Sequence, residues 1–283
     1  MDKILLFIPA YNCEKQIGRV LNKLDLEVMK YISEVIVIDN RSKDGTRDEV
    51  LKFKREHPDF PIKLFMNTEN YGLGGSQKVG FGYMRRHGFK YVVMLHGDDQ
   101  GDVRDFMPVF SRRLYRKYDC VLGARFMRGS KLQGYSLVRT LGNVAYNLLF
   151  AIITKRRVFD LGSGLNMYSL DMLQDGFYFR FPDDLTFNYC MVLAISYFWQ
   201  NARYFPVSWR EEDQVSNVKL FSQARKVLGM ALSYAANNTD IGNDYRSEKR
   251  DFYCTEEILA NGTPSGNILC FGEREDKWTS KTS

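Results

Sequence analysis

The stretch Tyr91–Val103, YVVMLHGDDQGDV, decides how the rest of the chain is read. Its first five residues form an unbroken apolar run with the length and composition of a buried strand. The run breaks at Gly97, and His96, Asp98, Asp99, Gln100 and Asp102 crowd into seven residues. A packed core does not accept that much charge, whereas the carboxyl end of a parallel strand opens onto the crevice where open α/β sheets bind ligands. Oxygen ligands grouped this way suit Mg²⁺ or Mn²⁺, and those ions bridge to phosphates. In isolation the segment also reads as a solvated acidic turn after a strand, so its neighbours decide.

Upstream, strands are expected over Lys3–Pro9, Glu34–Asp39 and Ile62–Met66. Helices are expected over Glu14–Leu24, Thr46–His57 and Ser76–His87. Downstream, a helix over Val103–Lys117 and a strand over Cys120–Gly123 follow. Strands recur at roughly 25-residue spacing with a helix between each pair, which predicts a mostly parallel sheet flanked by helices on both faces. Polar groups gather at the strand exits and are nearly absent from the strand interiors, as a ligand crevice requires. The loop Asn70–Gly75 is glycine-rich and opens a helix, but it matches neither a P-loop nor a GxGxxG fingerprint. Its glycines either accommodate a phosphate or serve a turn.

After Gly123 the character changes. A basic loop, Arg125–Lys131, leads into an amphipathic helix over residues 136–154. Leu137, Leu141, Val144, Leu148 and Ile152 share one side of it, Arg139, Asn143 and Asn147 another, and Lys155-Arg156-Arg157 close it. Such a helix packs on the sheet or lies in a membrane interface. A strand ending at Ser169, a helix over Asp184–Trp199, a strand over Tyr204–Trp209 and a helix over Leu220–Ala235 complete a domain of residues 1–235, with halves 1–123 and 124–235. Residues 236–283 read as a polar extension with little structure of its own, disordered in part.

The apolar stretches Leu148–Ile153 and Met191–Ile195 fall short of the roughly 18 residues of a spanning helix, and Met1-Asp2-Lys3 runs into a strand without a signal peptide. Five scattered cysteines without CxxC spacing indicate neither a zinc site nor a disulfide framework, which favours a reducing cytoplasm. The net charge of +6 is mild and fits phosphate-bearing ligands or anionic lipid. Nucleic acid is a poor fit, because the basic residues are dispersed and do not interleave with aromatics.

Six motifs in order carry a family resemblance: IPAYN (Ile8–Asn12), VIDNRSKDGT (Val37–Thr46), NYGLGGSQKVGFG (Asn70–Gly82), LHGDDQ (Leu95–Gln100), GARF (Gly123–Phe126) and DLGSGLNMYS (Asp160–Ser169). Together they resemble the family 2 glycosyltransferases of the GT-A fold, and within them the dolichol- and polyprenyl-phosphate sugar synthases. The resemblance implies a Rossmann-like α/β domain over residues 1–235. It implies nucleotide-sugar contacts by Pro9, Tyr11, Asn12 and Glu14, with Asp39 accepting from base or ribose and Asn40 and Gly72 beside them. His96-Gly97-Asp98 stands at the DXD position, with histidine where the family usually has aspartate, so Asp98 becomes the principal ligand for Mg²⁺ or Mn²⁺, assisted by Gln100 and His96. Arg125 corresponds to an arginine facing acceptor phosphate, and Arg139, Arg210 and Lys219 lie in segments that supply further phosphate contacts.

The resemblance thus implies an inverting, metal-dependent transferase, peripheral at the cytoplasmic face of a membrane, with a nucleotide-sugar donor (UDP- favoured, GDP- open). Its acceptor would be a polyprenyl phosphate or a lipid-linked glycan; a homo-oligomer is compatible with the sequence. A phosphate acceptor is already anionic and needs cations but no base. A sugar hydroxyl, as in polysaccharide, capsule or lipopolysaccharide synthesis, needs a carboxylate base, for which Asp183 and Asp184 are candidates, although paired aspartates before a helix also serve as caps. A non-catalytic nucleotide-sugar-binding module is the remaining alternative, suggested only by His96.

Overall fold

The computed structural model describes residues 2–211, 220–236 and 244–273. In chain order its elements begin β1 (Ile4–Ala10), α1 (Glu14–Asn22), α2 (Leu26–Met29), β2 (Glu34–Asp39), α3 (Thr46–Glu56), β3 (Ile62–Asn67), α4 (Gly72–Arg86) and β4 (Tyr91–Leu95). They continue α5 (Met107–Ser111), β5 (Cys120–Ala124), β6 (Leu132–Gln133), α6 (Leu137–Thr154), β7 (Leu165–Ser169), α7 (Leu170–Leu173) and α8 (Phe187–Tyr197). The last are β8 (Ala202–Pro206), β9 (Trp209–Arg210), α9 (Leu220–Ala236), β10 (Tyr253–Ile258) and β11 (Pro264–Phe271).

Nine strands form one sheet in the order β11-β10-β3-β2-β1-β4-β7-β5-β8, and β6 pairs with β9 separately. The β3-β2-β1-β4 block is parallel, as is β5 with β8, while β7 runs antiparallel between β4 and β5. Every residue of β1 and β4 is buried, the pattern of strands covered on both faces. Alternate residues enter opposite cores. Leu5, Phe7, Val92 and Met94 pack with Val79, Phe81 and Met84 of α4, whereas Leu6, Ile8, Val93 and Leu95 pack with Ile17 and Val20 of α1 and Val50 of α3. From β1 the chain steps outward on one side to β2 and β3, then returns through α4 to β4 on the other side of β1. The switch point therefore lies between β1 and β4, where the Tyr91–Val103 stretch leaves the sheet.

Four expectations are corrected. The helix expected over Val103–Lys117 is broken into two single-turn segments flanking the short α5, with Arg113 left-handed at φ 50° between them. The polar extension is structured where it is described: β10 pairs antiparallel with β3 and β11 closes the edge. Tyr253, Thr255, Ile258 and Phe271 are buried there, and the polar residues between them face outward, which hides the period in the sequence. Cys254 and Cys270 are direct cross-strand partners and form a disulfide, so the scattered cysteines do contain a pair. Finally, α6 has the length and composition to cross a membrane, with mean hydropathy 1.4, although its longest purely apolar run is only Leu148–Ile153.

Candidate active site

The loops leaving β1 and β2 brace each other at the switch point. Ser42 Oγ accepts from the Asn12 amide at 2.9 Å, and Asn12 Oδ1 accepts from the Lys43 amide at 2.9 Å. Asn12 pays for this geometry with a left-handed φ of 48°, which asparagine tolerates. Glu14 Oε2 accepts from the Gly45 amide at 3.2 Å, and the Glu14 amide donates to Asp44 at 3.1 Å. Pro9 O accepts from the Gly97 amide at 3.1 Å, joining this brace to β4. Tyr11 stays open, 42% exposed. Asp39 is fully buried; its carboxylate accepts from the Ser42 amide and lies 3.7 Å from Arg47 Nε. Burial pushes its pKa up against these partners. Asn40 Oδ1 accepts from Asn67 Nδ2 and the Tyr71 amide, which ties the strand ends to the start of α4. Beside them Arg41, Ser42, Lys43, Arg47 and Met66 line a cleft of about 260 Å³. None of its three cations was among the expected site residues: Arg41 and Lys43 stand in the polar exit of β2, and Arg47 in the first turn of α3.

The acidic loop separates into two functions. Asp99 is fully buried with φ 60°, and its carboxylate meets Arg19 Nε at 2.7 Å, Lys23 Nζ at 2.6 Å and Arg210 Nη2. Arg210 Nε also donates to Asp99 O at 2.9 Å. Asp99 is therefore a charge hub that closes the loop on itself, and Arg210 belongs to that hub. Asp98 is half-buried and accepts from the Gln100 amide at 3.2 Å. His96 is held by its amide, which donates to Gly164 O at 3.1 Å, and a Cβ at Gly164 would fall 2.8 Å from its ring. Its Nε2 is buried and has no hydrogen-bond partner among the described residues, and burial lowers its pKa, so the imidazole is neutral at pH 7. A neutral imidazole and one carboxylate, two residues apart, are donor types that divalent ions accept. Among the described residues no group of three or more His, Cys, Asp or Glu side chains converges to hold an ion.

The glycine loop has a structural explanation. The helix α4 begins at Gly72, earlier than expected, and the Asp183 carbonyl accepts from the Gly74 amide at 2.8 Å. A Cβ at Gly72 (φ +69°) would lie 2.4 Å from Asp183 O, and one at Gly74 2.4 Å from Pro182 O. The glycines thus admit the 182–184 backbone as a cap on α4. Asp183 itself accepts from buried Lys78 Nζ at 2.5 Å, Tyr253 Oη at 2.7 Å and Arg250 Nη1 at 3.1 Å. Burial lowers the Lys78 pKa to about 8, with Asp183 opposing. Asp184 accepts from the Thr186 amide at 2.8 Å and from Lys226 Nζ at 3.2 Å, the posture of a cap before α8. Burial raises its pKa, but the bonds from Thr186 and Lys226 prevail and leave it lowered.

The remaining predicted cations are also committed. Arg125 forks onto Asp160, Nε–Oδ2 2.7 Å and Nη2–Oδ1 2.8 Å, with both side chains buried. Arg139 pairs with Glu211. Both were expected to face acceptor phosphate; in this structure each is a strut between segments. Lys219 lies outside the described residues.

The helix α6 sits on the surface in an inverted posture. Its polar side faces the protein: Arg139 reaches Glu211, Asn143 reaches Tyr135 Oη at 2.9 Å and Asn147 donates to Phe159 O at 2.8 Å. Its apolar side faces out, with Leu137, Leu141, Leu148 and Ile152 between 62% and 81% exposed. Of the two placements open to this helix, packing its apolar stripe on the sheet is not the one the structure shows.

A family model, "Glycosyl transferase family 2", matches residues 6–177. Among curated proteins the chain is 26% identical, over 61% of its length and 68% of the relative's, to the undecaprenyl-phosphate mannosyltransferase of Micrococcus luteus. It is 24% identical, over 49% of its length and 38% of the relative's, to the dolichol-phosphate mannosyltransferase of Pyrococcus furiosus. Among solved structures it resembles the glucosyl-3-phosphoglycerate synthase of Mycobacterium tuberculosis in complex with Mn²⁺, UDP and glucosyl-3-phosphoglycerate. There the TM-score is 0.57 at 18% identity, over 83% of this chain and 80% of that one, a likeness of fold. With the switch-point crevice, the GT-A architecture and a family match over more than half its length, the chain belongs to glycosyl transferase family 2.

Proposed function

We propose that the protein is an inverting, divalent-metal-dependent glycosyltransferase that moves a sugar from a nucleotide-sugar donor to a polyprenyl phosphate at a membrane surface. The outward apolar face of α6 carries the lipid part of this reading: six of its apolar residues, Leu137, Val138, Leu141, Val144, Leu148 and Ile152, are exposed on a helix that follows directly from the crevice half of the domain. The two named relatives carry polyprenyl-phosphate acceptors in their names, and the solved neighbour holds UDP and Mn²⁺.

In this reading Asp98 and His96 would hold the ion, which would neutralise charge on the departing diphosphate. The Arg41, Lys43 and Arg47 cleft supplies cations for the donor, and the Asn12–Ser42–Asp39 brace orients the nucleoside. An oxygen of the acceptor phosphate attacks the anomeric carbon as its bond to the diphosphate breaks. That oxygen carries no proton to remove. The state of the two candidate bases agrees: the Asp183 carboxylate is engaged by Lys78, Tyr253 and Arg250, and Asp184 by Thr186 and Lys226. A hydroxyl acceptor would need one of them released. UDP remains the favoured donor.

The test is nucleoside diphosphate release from a panel of UDP- and GDP-sugars with Mg²⁺ or Mn²⁺, with and without undecaprenyl or dolichyl phosphate. Release that needs both one donor and the lipid phosphate is expected. Lipid-independent release would move the acceptor to a hydroxyl, and bound nucleotide without release from any donor would overturn catalysis. The membrane part is checked by Leu141→Glu with Leu148→Glu. Because both residues point outward, the double variant keeps its melting temperature within a degree or two and loses vesicle binding by roughly tenfold or more. A large fall in melting temperature would show instead that the face is covered by the chain itself.

A further inference from the structure

Between the last turns of α6 and α8 and the edge strand β8 lies an open cleft of about 340 Å³. Its floor is apolar, with Val192, Ile195 and Tyr204, and its rim carries Arg156, Arg157 and Arg203. None of these residues belongs to the crevice at the switch point. Arg156 is spent on structure, donating to Ile195 O at 2.9 Å and Gln200 O at 2.7 Å at the end of α8. Arg157 and Arg203 are exposed, and among the described residues neither forms an ion pair. Two unneutralised guanidinium groups over an apolar floor suit an anion that brings apolar substance with it.

The surroundings say which anion. The outward stripe of α6 runs to Ile152, 67% exposed, just before the cleft. On the α8 side, Tyr197, Phe198 and Trp199 follow Ser196 of the cleft wall and are 37%, 42% and 83% exposed. Trp199 is held in a left-handed turn at φ 54°. Exposed aromatics, an apolar helix face and arginines at its end are the three components of a membrane-interface contact, at headgroup depth for the aromatics and the cations.

We propose that this cleft binds the phosphate of an anionic membrane phospholipid, with Arg157 and Arg203 as its ligands, separate from the acceptor that reacts. The proposal rests on the reading of α6 as membrane-facing. The experiment is co-sedimentation of the full chain with phosphatidylcholine vesicles, with and without phosphatidylglycerol, comparing wild type with Arg157→Gln/Arg203→Gln. A matched control, Lys52→Gln/Arg55→Gln, removes two exposed charges from α3. The expected result is a roughly 10- to 30-fold loss of affinity for phosphatidylglycerol vesicles in the cleft variant. The control should change less than about twofold, and residual binding to pure phosphatidylcholine and the melting temperature should be kept. Equal losses in both variants, or no loss in the cleft variant while wild type binds, would overturn the site and leave the membrane reading standing. Absence of wild-type binding to any vesicle would overturn both. Inorganic phosphate that displaces the protein from vesicles at millimolar levels, at constant ionic strength, would mark a soluble-anion site and overturn the lipid assignment.

Discussion

Asp98→Asn is expected to lower kcat by about 10³-fold, a loss of about 4 kcal/mol of transition-state stabilisation, while leaving the melting temperature nearly unchanged. The contrast with its neighbour makes the expectation sharp. Asp99 is fully buried and neutralised by Arg19, Lys23 and Arg210, so Asp99→Asn leaves three cations facing an amide and acts first on stability. Asp98 is half-buried, and asparagine can still accept from the Gln100 amide through its carbonyl oxygen, so the loop survives and the anionic oxygen is what disappears. The neutral, sterically pinned His96 cannot replace that charge. The check is steady-state kinetics over donor and Mn²⁺ concentrations, paired with a thermal melt. Activity above about a tenth of wild type at saturating Mn²⁺ would displace the ion from this pair.

The parallel half of the fold was legible because β1, β2 and β4 are buried on both faces and therefore read as continuous apolar runs, each bounded by a polar exit. The crevice followed, since those exits meet at one switch point. Three things were less accessible, each for a physical reason. The periodicity of α6 reveals a stripe but not which side meets the protein, which depends on partners such as Glu211 and Phe159 O, far away in sequence. The β10–β11 hairpin has little alternation, but a signal was present: Asn261-Gly262 lies between the strands, with Gly262 at φ +85° in the turn, and Cys254 and Cys270 flank it symmetrically. The glycines of α4 could be identified as unusual, but only the approach of Pro182 and Asp183 explains them.

Arg125→Gln is expected to destabilise the fold by about 3–5 kcal/mol, roughly 10 °C in melting temperature, before any effect on acceptor affinity is measured. The reason is what it leaves behind. The Asp160 side chain is 1% exposed and takes four donors: Arg125 Nε, Nη2 and amide, at 2.7, 2.8 and 2.8 Å, and the Gly162 amide at 3.0 Å. Removing the guanidinium strands a buried carboxylate with amide partners alone, and glutamine cannot reproduce the two-pronged fork. Asp160→Asn in the same chain removes the stranded charge, so Arg125→Gln/Asp160→Asn should recover much of the loss. This cycle separates the acceptor-phosphate role expected for Arg125 from the strut role its pairing with Asp160 gives it. A strut gives a large fall in melting temperature that the second substitution repairs. An acceptor ligand gives an unchanged melt, a raised KM for lipid phosphate and no repair. The burial of the pair, and the Arg125 guanidinium stacked 4.9 Å from the Trp209 ring, favour the strut. Acceptor phosphate would then have to draw its cations from groups this structure leaves nearer the surface.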